Sequence, residues 1–167
     1  MDYGSALRLL EDCFGDGRIA RHCRATANKA VEIAERIKAS GRTVDMEFVR
    51  VGALLHDIGR ARTHDIEHNY EGGRMLRELG FERLARAVER HGSNIFEVIR
   101  PDELTLEEKI VYLADKLTEE DRYVSLDERF KSVVERRMKT GREKEVMEIR
   151  NALGVTKMIE SELRGLM

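Results

Sequence analysis

Residues 51–59 read Val51-Gly52-Ala53-Leu54-Leu55-His56-Asp57-Ile58-Gly59. An apolar run leads directly into a histidine and an aspartate, and a glycine stops it. Upstream, Phe48, Val49, Gly52 and Leu55 recur at helical spacing, and Asp45 stands where a helix N-cap belongs. The stretch therefore predicts a helix that delivers His56 and Asp57 at its C-terminal end. Burying such a pair is costly unless it is partnered. The usual partner is a metal ion or a hydrogen-bonded ion pair.

The same helical pattern extends in both directions. Leu7, Leu10 and Phe14 mark a short helix over residues 3–13 that Gly15 and Gly17 close. A longer helix runs from about Ile19 to Ser40, with Ala30, Ile33, Ala34 and Ile37 on its buried face and Gly41 beyond it. Residues 60–66 read as a loop. Helices then follow over about 67–79 and 81–90, ended by Gly80 and by His91-Gly92. The segment 92–104, with Gly92, Ser93, Asn94 and Pro101, reads as a loop with one turn. Thr105 and Glu108 form a capping-box pattern for a helix carrying Ile110, Leu113, Ala114 and Leu117. Residues 126–166 read as two helices broken near Gly141. No repeat, low-complexity segment or convincing strand stands out.

Composition agrees. The 167 residues contain one proline and no tryptophan, and 41% are hydrophobic. That is enough for a core without staples, and a chain so poor in proline favours helix throughout. The expected fold is all-α: a helical bundle in one domain over 1–167, with a core at about 18–120 and a C-terminal helical extension at about 125–165. Charges nearly balance, with 30 Lys plus Arg against 32 Asp plus Glu. The net charge of -2 gives no global field for nucleic acid, and Arg136-Arg137 reads as a solvated helix face. No run approaches the roughly 20 apolar residues of a spanning helix, so no membrane partner is expected. Met1 to Cys13 mixes Asp2, Arg8, Glu11 and Asp12 into its apolar positions, unlike a signal peptide. Two cysteines, Cys13 and Cys23, without a CxxC pair suit a reducing cytoplasm.

Histidine is scarce, with five copies, and its placement carries the chemistry. His22 lies early on the long second helix, and Asp115 follows the apolar stretch Val111-Tyr112-Leu113-Ala114. Two histidines and two carboxylates from three helices suit one divalent cation, and helical bundles commonly build metal sites from inward-facing side chains.

The stretch Ala53 to Gly59, with His22 before it and Asp115 after it, resembles the H…HD…D signature of the HD superfamily of metal-dependent phosphohydrolases. The resemblance covers about residues 18–120 and is nearest to small archaeal HDIG proteins. It implies that His22, His56, Asp57 and Asp115 hold one metal. His68-Asn69-Tyr70-Glu71-Gly72 and His91 are similar to further ligands of two-metal members. They imply a second ion held by His68 and His91, with Asp57 bridging. One or two divalent ions are thus expected, drawn from iron, manganese, zinc, nickel or cobalt. The GYP motif and the doubled histidine of the cyclic-dinucleotide enzymes are absent.

The implied activity is hydrolysis of a phosphoester or phosphoanhydride, with a nucleotide as the expected small phosphorylated substrate, by a metal-activated hydroxide. Some relatives carry a glutamate three residues after the HD aspartate. Here that position is Arg60, a planar donor fork for phosphate oxygens. Asp57, Arg60 and Lys116 are the candidate catalytic residues, and Arg60, His64 and Lys116 the candidate substrate contacts. Lys116 fits equally well as a partner of Asp115. His64 fits a phosphate contact or a solvated loop residue better than a ligand. A homodimer is left open. The competing readings are a nucleotide-sensing HD domain without turnover and an oxygenase, for which the chain is short.

Overall fold

A computed structural model describes residues 1–64, 67–141 and 145–167. The chain is all-α. Its helices are α1 (Tyr3–Phe14), α2 (Arg18–Ala39), α3 (Met46–Leu55), α4 (His68–Glu78), α5 (Glu82–Glu89), α6 (Leu106–Lys116), α7 (Leu126–Lys139) and α8 (Glu145–Arg164). No helix among the described residues is long and apolar enough to cross a membrane.

The centre of the bundle is α3, buried at every position from Val51 to Leu55. Its start is fixed by Asp45, whose carboxylate accepts the amide of Phe48 at 3.0 Å. Helix α2 packs along it through Ala27, Ala30, Ile33, Ala34 and Ile37. The alanines of that stripe allow the close approach that carries His22 toward the end of α3. Helix α6 closes the third side. Its first turn is held by the capping box expected from Thr105 and Glu108, in which each side chain accepts the other's backbone N–H. Glu108 has a second task. It is buried, and it accepts from Arg86 Nε at 2.9 Å and from Arg90 Nη1 at 3.1 Å, which ties the end of α5 to the start of α6.

The C-terminal helices pack on this bundle. Ala152, Ile159 and Leu163 of α8 are buried, and α8 lies against α6. Tyr112 and Thr156 share a buried hydroxyl–hydroxyl bond at 2.7 Å, and Lys109 Nζ reaches Glu162 at 2.6 Å. Helix α7 pairs with α8 as the outer arm.

Three local details differ from the sequence expectation. The loop expected at 60–66 is partly a 3-10 turn, Ile58–Ala61, while residues 65 and 66 lie outside the described residues. The segment 92–104 holds two 3-10 turns, Ser93–Glu97 and Pro101–Glu103. After α6 comes a small antiparallel hairpin, β1 (Thr118–Glu119) with β2 (Arg122–Tyr123), where no strand was expected. Two-residue strands are too short for an alternating pattern to show. The break expected near Gly141 falls between α7 and α8, with residues 142–144 outside the described residues.

Candidate metal centre

Helix ends aim two of the histidines. The last carbonyls of an α-helix have no partner within it. At the end of α3, Ala53 O accepts His56 Nδ1 at 2.8 Å. At the end of α5, Val88 O accepts His91 Nδ1 at 2.6 Å. A third carbonyl, Glu120 O in the β-hairpin turn, takes His22 Nδ1 at 2.7 Å. Glu120 reaches that place with a positive φ of 55°, a conformation that is strained for a side chain with a Cβ. A carbonyl only accepts, so each of these Nδ1 atoms carries the ring proton. In the neutral ring each Nε2 is then a bare lone pair.

Those lone pairs face one another. His22 Nε2 and His56 Nε2 are 3.2 Å apart, and Asp115 Oδ1 lies 3.3 Å from the first and 3.6 Å from the second. Three acceptors meet with no proton of their own to share. Only a cation makes such a trio favourable, and imidazole with carboxylate is a fitting donor set for a divalent transition metal. The protonation tendencies agree. Burial opposes a charge on His22, yet Asp115 beside it raises its pKa above the usual value. Burial pushes His56 down to about 3, so it remains a neutral donor.

A second trio adjoins the first. Asp57 Oδ1 lies 3.0 Å from His68 Nε2 and 3.6 Å from His91 Nε2, and the two nitrogens are 3.3 Å apart. The other oxygen of the same carboxylate, Oδ2, lies 3.9 Å from His56 Nε2. Asp57 thus shows one oxygen to each trio, the arrangement a bridging ligand needs. Burial works against ionisation of Asp57, and His56, His68 and His91 with Arg60 override it. Its carboxyl stays well below the usual range. For Asp115 burial is likewise overridden, by Lys116 first. Burial also lowers His91, which favours its neutral, ligating form. The six histidine and aspartate positions singled out in the sequence therefore stand within one cluster, with His56, Asp57, His91 and Asp115 buried and His22 and His68 partly so.

The second trio depends on a close backbone approach. A Cβ on Gly59 would stand 1.9 Å from the carbonyl oxygen of His68 and 2.4 Å from the amide nitrogen of Gly72. Only glycine lets the turn after Asp57 lie on the first turn of α4, and that contact brings His68 to Asp57. Asn69 secures the other side by donating from Nδ2 to Glu89 O at 2.7 Å, two residues before His91. Gly59→Ala meets backbone atoms, which cannot swing aside. It is expected to lower unfolding free energy by about 3 kcal/mol, read by chemical denaturation. A midpoint equal to the wild type's would contradict the account of this contact.

The remaining candidates divide. Arg60 Nε donates to Asp57 Oδ2 at 2.7 Å, and its Nη2 lies 3.2 Å from His68 Nε2. Lys116 is buried and donates to Asp115 Oδ2 and to His91 O, the latter at 2.9 Å, so it positions two of the candidate ligands. That is the second of the two roles open to it from sequence. His64 is exposed and lines the cleft. The cleft above the cluster has a volume of about 640 Å³. Its far wall comes from α7 and α8, including Arg129, Phe130, Arg136, Arg137, Ile149 and Ala152. Arg136-Arg137 is thus part of the cleft wall, where a purely solvated face was expected. Sequence reasoning also missed Asn69 and the carbonyl of Glu120. The carbonyl carries no motif, because a backbone acceptor can come from any residue, and the task of Asn69 depends on where the Glu89 carbonyl lies in the fold.

The family model described as the HD domain matches residues 19–120. An uncharacterized protein of Methanocaldococcus jannaschii is 43% identical over 147 residues, covering 81% of this chain and 86% of that protein. A tRNA (cytidine(56)-2'-O)-methyltransferase of Picrophilus torridus is 33% identical over 136 residues. The match covers 75% of this chain but only 38% of the methyltransferase. A ribonuclease Y of Acidothermus cellulolyticus is 32% identical over 80 residues, 46% of this chain and 15% of that protein. No solved structure matches the chain.

Proposed function

The chain belongs to the HD domain family, and from that premise we propose that it is a metal-dependent phosphohydrolase acting on a phosphoester or phosphoanhydride of a nucleotide. The observation that carries this reading is the pair of histidine–aspartate trios joined by the two oxygens of Asp57 at the floor of a cleft. Divalent ions there supply charge neutralisation at a phosphate and a lowered pKa for water.

The chain's own residues supply the rest. His22, His56 and Asp115 form one ligand group, His68 and His91 the other, and Asp57 serves both. Lys116 fixes the free oxygen of Asp115 and the backbone of His91, so the ligands are set before substrate arrives. Arg60 is about one-third exposed toward the cleft. Its Nη groups lie beside the cluster and are donors for the oxygens of a bound phosphate, where charge grows as the bond breaks. His64 extends the same polar rim. A cytoplasmic setting belongs to this reading, since Cys13 and Cys23 are both free.

The test is a screen of nucleotides and phosphoesters with the metal-loaded chain. Turnover that a chelator abolishes and added metal restores is expected. Saturable nucleotide binding with full metal content and no turnover would instead establish the sensing alternative. A second reading, cleavage of an RNA phosphodiester, draws support from the ribonuclease Y match alone. An RNA oligonucleotide in the same screen separates the two.

A further inference from the structure

The wall opposite the metal centre is cationic. Outside the cluster itself, Arg18, Arg129, Arg136 and Arg137 line the cleft, against Glu120 and Glu148 among the described lining residues. Glu119 draws two of the arginines together. Its Oε1 lies 3.6 Å from Arg129 Nη1 and 3.4 Å from Arg136 Nη2, and it also accepts from Ser132 Oγ. One carboxylate is thereby divided between two guanidinium groups. Burial first, then the guanidinium of Arg129, hold Arg136 below its ordinary pKa. Glu119 offsets this in part, while Arg137 and Arg18 add to it. The Nε of Arg129 is buried and has no hydrogen-bond partner among the described residues. A buried donor without an acceptor is costly, and crowded guanidinium groups repel. Both costs fall when an anion enters.

We propose that Arg129 and Arg136 of α7, with Arg18 and Arg137 beside them, form an anion subsite that takes a second phosphate of the substrate while the first lies on the metal centre. The subsite comes mainly from α7, which lies outside the residues that match the HD family. It therefore belongs to the extension beyond the HD match and sets substrate choice. On the same wall as the arginines, Phe130, Val133, Ile149 and Val155 give an apolar surface for the nucleoside. The substrate class that fits is a nucleoside polyphosphate, cleaved at an anhydride. One P–O bond breaks, the oxygen of a water joins the phosphorus beside the histidine–aspartate cluster, and the protons of that water pass to the two phosphate products. No other reactant is needed. The choice of substrate rests on the hydrolase reading; the anion subsite does not.

The test uses imidodiphosphate, whose P–N–P link resists hydrolysis, and orthophosphate as calorimetric probes of the metal-loaded full chain. Arg136 is half exposed at the rim, so Arg136→Gln leaves the packing intact. It is expected to weaken imidodiphosphate at least about tenfold, the scale of a lost charge-assisted hydrogen bond, with a much smaller change for orthophosphate. Arg129→Gln should do the same. Arg42→Gln, exposed between α2 and α3, removes an equal charge elsewhere and should change imidodiphosphate binding less than about twofold. Equal weakening of both probes in Arg136→Gln, or an effect of Arg42→Gln as large, overturns the subsite. Binding does not depend on turnover. A chain that cleaves nothing yet loses imidodiphosphate in Arg136→Gln refutes the hydrolase reading and supports the subsite. A short RNA that displaces imidodiphosphate at lower concentration than ATP overturns the nucleotide assignment.

Discussion

Asp57→Ala is expected to purify without bound metal and to lose at least about 10³-fold in turnover, a scale comparable to removing a group that stabilises developing charge. Its two oxygens serve different neighbours. Oδ1 faces His68 and His91, while Oδ2 faces His56 and receives Arg60 Nε. Removing it deprives both trios of a negative ligand and leaves the Arg60 guanidinium without its carboxylate partner beside them, which further disfavours a cation. Asp57→Asn is the partner experiment. It keeps the shape and removes the charge, so metal loss in both variants assigns the effect to the carboxylate. Elemental analysis checks the outcome, and full metal content in Asp57→Ala would falsify the assignment.

His91→Ala is expected to halve the metal content and to reduce turnover steeply. His91 Nε2 belongs to the trio with His68 and Asp57, and its Nδ1 is anchored to Val88 O. The other trio of His22, His56 and Asp115 makes no use of it. One ion is therefore retained. With only one ion left, less charge is neutralised at the phosphate. The ring is buried against its neighbours, so some stability is lost as well. A thermal melt in chelator separates that cost from the metal effect. If metal content stays at the wild-type ratio while substrate affinity falls, His91 contacts substrate and the centre holds one ion.

Much of this was legible in the sequence because the signal is local. Helical spacing in residues 45–59, the Thr105–Glu108 capping box and the glycines after helices each act within a few residues. The candidate ligands stood out for a related reason. Histidine and aspartate stand out when they interrupt apolar runs, as His56, Asp57 and Asp115 do. What was hidden depends on tertiary contact. Nothing in Arg129, Arg136 or Arg137 distinguishes a helix face that meets solvent from one that meets a cleft. The docking of α8 on α6, through Tyr112 and Thr156 among others, places α7 at the cleft above the candidate ligands. The turn at Glu120 was hidden because a backbone carbonyl has no residue signature. Gly59 read simply as a helix stop, whereas its more demanding task is the approach to Gly72.

The central claim is that one bridging aspartate joins two cation sites. Anomalous scattering from crystals of the chain loaded with manganese tests it most directly. The account predicts two peaks roughly 3.5–4 Å apart, one bounded by His22, His56 and Asp115, the other by His68 and His91, with Asp57 touching both. A single peak, or peaks that leave Asp57 out of contact, would contradict it.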